Sequence, residues 1–80
     1  MAISKDNPYR KTLASLVNSI QKENRMEEED CILLLHILDS EEKISLFGKW
    51  ARRKMLDGHL EAKNSEITRA AVRISKGLEP

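Results

Sequence analysis

From Cys31 to Leu38 the chain is apolar at every position except His36. Wound as a helix, Ile32, Leu33, Leu34, Leu35, Ile37 and Leu38 point in every direction around the axis, and a helix apolar all round is one buried on all sides. The run is far short of the roughly 18–20 residues needed to cross a bilayer. It therefore belongs inside a protein, as the central helix of a bundle or as half of a dimer interface. Glu27, Glu28, Glu29 and Asp30 lead into it. Acids in a first turn suit the positive end of the helix dipole, so we read them as a start signal. They are too few, and lack the glycine-containing loop, for a calcium site.

Three more segments carry the helical period. Tyr9, Leu13, Leu16, Val17 and Ile20 form a narrow apolar stripe, behind Pro8 at the first helical position and Asp6 or Asn7 as its N-cap. Asp39 or Ser40 opens a third helix, with Glu42 completing a capping box from Asp39. Its inner face is Ile44, Phe47, Gly48, Ala51 and Met55, with Leu46 and Trp50 along one edge. Gly48 costs a helix about 1 kcal/mol against Ala, which predicts close approach of a neighbouring helix. Asp57-Gly58 ends the segment, Gly58 being the left-handed residue past its end. His59 to Lys63 is a linker, Asn64 or Ser65 caps the fourth helix, and Ile67, Ala70, Ala71 and Ile74 face inward before Gly77 stops it.

These segments predict an all-α fold: one compact domain over residues 1–80, with helices near 8–24, 27–38, 40–57 and 65–76 and flexible tails at 1–6 and 78–80. Helix two lies at the centre. Short connections make successive helices neighbours, with angled crossings. Single tyrosine, phenylalanine and tryptophan residues disfavour a β-sandwich, whose strands draw on aromatic side chains. A chain of 80 residues has a marginal core, which favours a homodimer or a constitutive complex. Leu34, Leu38, Leu46 and Trp50 are the expected oligomer interface.

Catalysis finds little to work with. His36 sits in the apolar run, and His59 follows Gly58 in a linker. Cys31 and His36 stand roughly 140° apart around a helix, so they share no face as a nucleophile and base must. No phosphate-binding glycine loop, no paired metal-ligand histidines and no glycine-flanked serine occur. We expect no enzyme, no cofactor, no metal site and no small-molecule substrate. One cysteine excludes an internal disulfide, and the first residues lack a secretory apolar stretch. A cytoplasmic protein without a membrane span is the expectation.

Binding remains. Fourteen basic and 13 acidic side chains leave a net charge of +1, which excludes a globally basic coat. The charge is uneven, however: residues 1–39 hold five basic and seven acidic groups, residues 40–80 nine and six. Lys49, Arg52, Arg53, Arg69, Arg73 and Lys76 point outward from helices three and four, with Trp50 one turn from Arg53 and Lys54 as a candidate base-stacking or cation–π surface. Two readings compete. The first is a non-catalytic regulatory, inhibitory or accessory subunit that binds a protein partner through these residues. The second is a small DNA- or RNA-binding regulator. Asn64-Ser65-Glu66-Ile67-Thr68-Arg69-Ala70 loosely resembles the start of a recognition helix in a helix-turn-helix-like pair over about 40–57 and 65–76. The linker from Gly58 to Asn64 exceeds the usual turn of about three to four residues, so the protein-partner reading leads.

Overall fold

A computed structural model describes residues 8–80. The Asp6 or Asn7 cap and the tail expected at 1–6 lie outside the described residues. The fold is all-α, with 71% of the described residues helical. Its elements are α1 (Pro8–Asn24), α2 (Glu28–Ile37), α3 (Glu41–Arg53), β1 (Met55–Leu56), β2 (His59–Leu60) and α4 (Asn64–Ser75). Helix α1 packs against α2, α3 and β2, while α4 closes the other side against α2 and α3. The four helices thus form a ring of neighbours. Contrary to expectation, α2 and α3 are not major partners although only Leu38, Asp39 and Ser40 join them.

The core follows the helical stripes. Leu13, Val17 and Ile20 enter from α1, Ile44, Phe47, Trp50 and Ala51 from α3, and Ile67, Ala70, Ala71 and Ile74 from α4. Full burial of side chains of this size stabilises by about 1.5–3 kcal/mol each. Helix α2 departs from the expectation. Only Cys31 and Leu34, with Leu38 just beyond its end, are buried, whereas Ile32 is 57% exposed and Leu33 is also on the surface. Its neighbours α1 and α4 cover one face, and no described element lies over the other. Helix two is therefore peripheral, not central.

Leu34 and Leu38 are fully buried within the monomer and Trp50 retains only 6% exposure. This corrects their placement at an oligomer interface: a side chain already packed inside its own subunit has no surface to offer another. Of the four, only Leu46 stays exposed. Trp50 stacks on Phe47 with ring centroids 5.7 Å apart and planes 25° apart, a favourable offset aromatic geometry. It is core, and no stacking platform.

The largest local correction lies after α3. The helix ends at Arg53, not at Asp57, and Met55–Leu60 fold as a two-stranded antiparallel hairpin pairing Met55 with Leu60 and Leu56 with His59. Asp57 and Gly58 take φ of 52° and 81°. Two successive left-handed residues make the tight hairpin turn that Asp-Gly favours, because its twist matches that of paired strands. Met55, expected on the inner face, is exposed as a result. The hairpin also takes up the chain between α3 and α4, so these helices are not joined by the short turn of a helix-turn-helix pair.

The ends of the helices refine the expected caps. Ser40 caps α3, its hydroxyl accepting from the Lys43 amide at 3.3 Å, while Asp39 pairs with Lys43 Nζ at 3.0 Å. Asp39 is thus an ion-pair partner and forms no box with Glu42. Lys63, not Asn64 or Ser65, precedes the first turn of α4, and its amide donates to Glu66 Oε1 at 3.4 Å. Gly77, at φ 79°, stops α4 as expected. Its amide donates to Ile74 at 3.0 Å and that of Leu78 to Arg73 at 2.8 Å, the paired bonds of a Schellman end. No Cβ at Gly48 would meet anything within 4 Å. The close helix approach expected there is absent.

Candidate functional site

Helices α3 and α4 lie side by side, and a shallow groove runs along their junction. One part, about 610 Å³, is lined by Leu46, Lys49, Trp50, Arg53 and Lys54. The adjoining part, about 190 Å³, adds Arg69, Ala70 and Arg73, with Glu66 at one end. Trp50 and Lys54 border both parts. The cations on this groove come from successive turns: Lys49 and Arg53 are four residues apart on α3, and so are Arg69 and Arg73 on α4. A four-residue step returns to the same helix face, so two rows of positive charge face each other across the junction.

Lys49, Arg53, Lys54 and Arg69 are exposed, and none forms an ion pair with a described residue. Arg73 is engaged differently. Its Nε donates to the backbone carbonyl of Glu79 at 2.5 Å. That bond lays Leu78–Pro80 back over the groove, where Glu79 and Pro80 line its larger part. Residues 78–80 thus form a strap across the α3–α4 junction, with Pro80 lining both parts. Four of the cations meeting here, Lys49, Arg53, Arg69 and Arg73, are expected from the sequence. Arg52 and Lys76 are exposed but line neither part.

Lys54 was expected only as a neighbour of Trp50, and sequence reasoning missed the strap as part of this surface. The strap has a signal in retrospect. An apolar residue directly after a glycine helix stop returns to pack on the preceding turn, and Gly77-Leu78 has that form.

The other polar groups are dispersed. His59 Nδ1 lies 2.9 Å from Glu23 Oε1 on an open surface between α1 and β2. His36 is exposed on α2. Burial pushes the Cys31 thiol above its ordinary range, with the charges of Asp30 and Glu28 adding to the shift; a thiol held protonated is a poor nucleophile. No group of three or more His, Cys, Asp or Glu side chains among the described residues is arranged to hold a metal ion, and no described helix is long and apolar enough to cross a membrane.

No protein-family model matches this chain, and no curated protein or solved structure matches it. Functional inference therefore rests on its own side chains.

Proposed function

We propose that this chain is a non-catalytic binding module, a regulatory, inhibitory or accessory subunit that recognises a protein partner through the α3–α4 groove. One observation carries the reading: Lys49, Arg53, Lys54 and Arg69 converge on one concave surface with no described acid paired to them. Like charges held close repel and cost stability, so such clustering fits a surface completed by an acidic counterpart. Complementary charge of this kind speeds association and selects among partners. A cytoplasmic setting suits the free, buried thiol of Cys31.

The nucleic-acid reading keeps the same cations but has lost two supports. Trp50 is packed on Phe47 and offers no face to a base. The hairpin at Met55–Leu60 replaces the short turn of a helix-turn-helix pair.

Cross-linking in extracts of the encoding organism, followed by mass spectrometry, tests the protein-partner reading. The wild-type chain is compared with Arg53→Glu/Arg69→Glu, both exposed positions that leave the core untouched. Protein cross-links at α3 and α4 that disappear with charge reversal are the expected result. An identical protein set from both chains, or cross-links to nucleic acid alone, overturns it.

A further inference from the structure

The groove is not empty of peptide. Glu79 and Pro80, following Leu78, lie against it, with the Glu79 carbonyl on the Arg73 guanidinium and both residues beside Lys49, Arg53 and Lys54. Resting on the reading above, we propose that the groove takes an extended acidic peptide segment of the partner protein, and that the chain's own Leu78–Pro80 strap occupies the same course and must leave first.

Three observations support this assignment. The first is charge. Five cations line the groove against two acidic side chains, Glu66 and Glu79, and neither acid forms an ion pair with any of them. An excess of positive potential therefore remains, and a segment with several carboxylates answers more of it, each by a charge-assisted hydrogen bond stronger than a neutral one. The second is chemistry. Arg73 already binds a peptide carbonyl, and its planar guanidinium has further donors for a carboxylate. Beside the cations, the exposed Leu46 gives an apolar contact for a side chain between the acids. A peptide uses all of these, whereas a phosphate backbone uses only the cations.

The third is how weakly the strap is held. Beyond the Schellman bond of Leu78, its recorded polar attachment is the single exposed bond from Arg73 to Glu79. An exposed hydrogen bond exchanges readily with water, so the strap is displaceable. While it is in place, the competent fraction of the protein is reduced, and the apparent affinity falls by that fraction.

Fluorescence anisotropy with a labelled, end-blocked peptide of Leu-Glu-Pro repeats tests both parts. The comparison probes are the same peptide with Gln for Glu and a short DNA duplex, all in low salt. The acidic peptide is expected to bind the full chain and to lose at least about tenfold in affinity on Arg53→Glu/Arg69→Glu. Ending the chain after Leu78, which keeps the Leu78 amide, is expected to tighten binding by about three- to tenfold. The Glu79→Gly/Pro80→Gly variant, which loosens the strap at full length, is expected to move the same way. Equal affinity with and without the strap overturns its role as competitor. Equal binding of the Gln peptide overturns acidic recognition, and tighter binding of the duplex assigns the groove to nucleic acid. Self-association of the chain that charge reversal abolishes assigns it to a second copy. If charge-sensitive partner cross-links persist while the acidic peptide fails to bind, this inference falls and the binding-module reading stands.

Discussion

Asn24 and Asn64 are joined across 40 residues of chain: the Asn64 side-chain amide donates to the Asn24 carbonyl at 3.1 Å. Asn24 in turn donates from its own side chain to the Ala62 carbonyl at 3.0 Å. The last carbonyls of a helix have no partner within it, and here Asn64 supplies one for α1. The two bonds tie the end of α1 to the start of α4 and so orient one wall of the basic groove. Each is part-buried, where removal of one partner leaves a polar group unsatisfied at a cost of about 1–3 kcal/mol. Asn24→Ala and Asn64→Ala are expected to lower stability by about that amount each. Because they share one junction, the double variant is expected to lose less than the sum of the single losses. Urea denaturation of the four proteins measures this, and strict additivity would show that the two asparagines act independently.

Gly48 and Gly58 give opposite outcomes on replacement by Ala. Gly48 lies inside α3 with open space where a Cβ would stand, so Gly48→Ala is expected to stabilise by about 0.5–1 kcal/mol through helix propensity alone. Gly58 holds φ at 81° in the hairpin turn, which costs a side chain roughly 1–2 kcal/mol. Thermal melts separate the two. A lower melting temperature for Gly48→Ala would mean that the helix needs a glycine for some other reason.

The Asp39–Lys43 pair sets a small acid-side dependence. The hydrogen bond from Lys43, then the charge of that lysine, holds the Asp39 carboxyl below its ordinary value of 3.8. A carboxyl whose pKa is depressed by folding contributes stability above its unfolded pKa, and that contribution is lost as pH falls through the folded value. The stability difference between wild type and Asp39→Asn is therefore expected to be present at neutral pH and to vanish on acidification. The pair is exposed at the start of α3, so the effect is modest. A difference that grows in acid contradicts the assignment.

Helix existence was legible in the sequence because it rests on local period and capping chemistry. Ile67, Ala70, Ala71 and Ile74 are all buried as their spacing requires, and Gly77 ends α4 as its type requires. Which helix becomes central is a different kind of fact. The run Ile32–Leu38 carries more apolar surface than its neighbours cover, and composition cannot tell a fully enclosed helix from one enclosed on one side. The hairpin shows a competing local rule. Asp57-Gly58 suits both a helix stop and a two-residue hairpin turn, and the chain takes the second, pairing Met55 with Leu60 and burying Leu60 in the core. The basic groove was half legible. The rows Lys49/Arg53 and Arg69/Arg73 follow from helical spacing, whereas their meeting, and the strap across them, depend on long-range packing.

Cys31 offers a test of packing around α2. Burial, then the charges of Asp30 and Glu28, raises its thiol above its ordinary value of 9.0. A raised thiol pKa means that folding is favoured while the group is protonated, and that contribution is lost as pH rises from the unfolded towards the folded value. Iodoacetamide, which reacts with the thiolate, is expected to label the native protein far more slowly than the urea-unfolded chain at mildly alkaline pH. Rapid native labelling would show that the α1–α2 contact opens readily, despite the 4% exposure of Cys31.

Trp50 and its basic neighbours make the sharpest separation between core and surface. Trp50 is stacked on Phe47, which has no exposure at all, so Trp50→Ala removes an indole from close-packed surroundings. Large aromatic-to-Ala changes of this type cost about 3–5 kcal/mol, a large share of the stability of so small a domain. Trp50→Phe keeps a ring against Phe47 and is expected to cost much less, because it leaves a smaller void. Lys49→Ala and Arg53→Ala, one and three positions away on the same helix, carry exposed side chains and are expected to change stability by no more than about 0.5 kcal/mol. Relief of repulsion between the groove cations pushes that small change towards stabilisation. Circular dichroism melts of the four variants, read beside the tryptophan emission of the two basic ones, decide the matter. A folded Trp50→Ala of near wild-type stability means that the indole lies on the surface after all, and returns it to the groove as a contact for a partner.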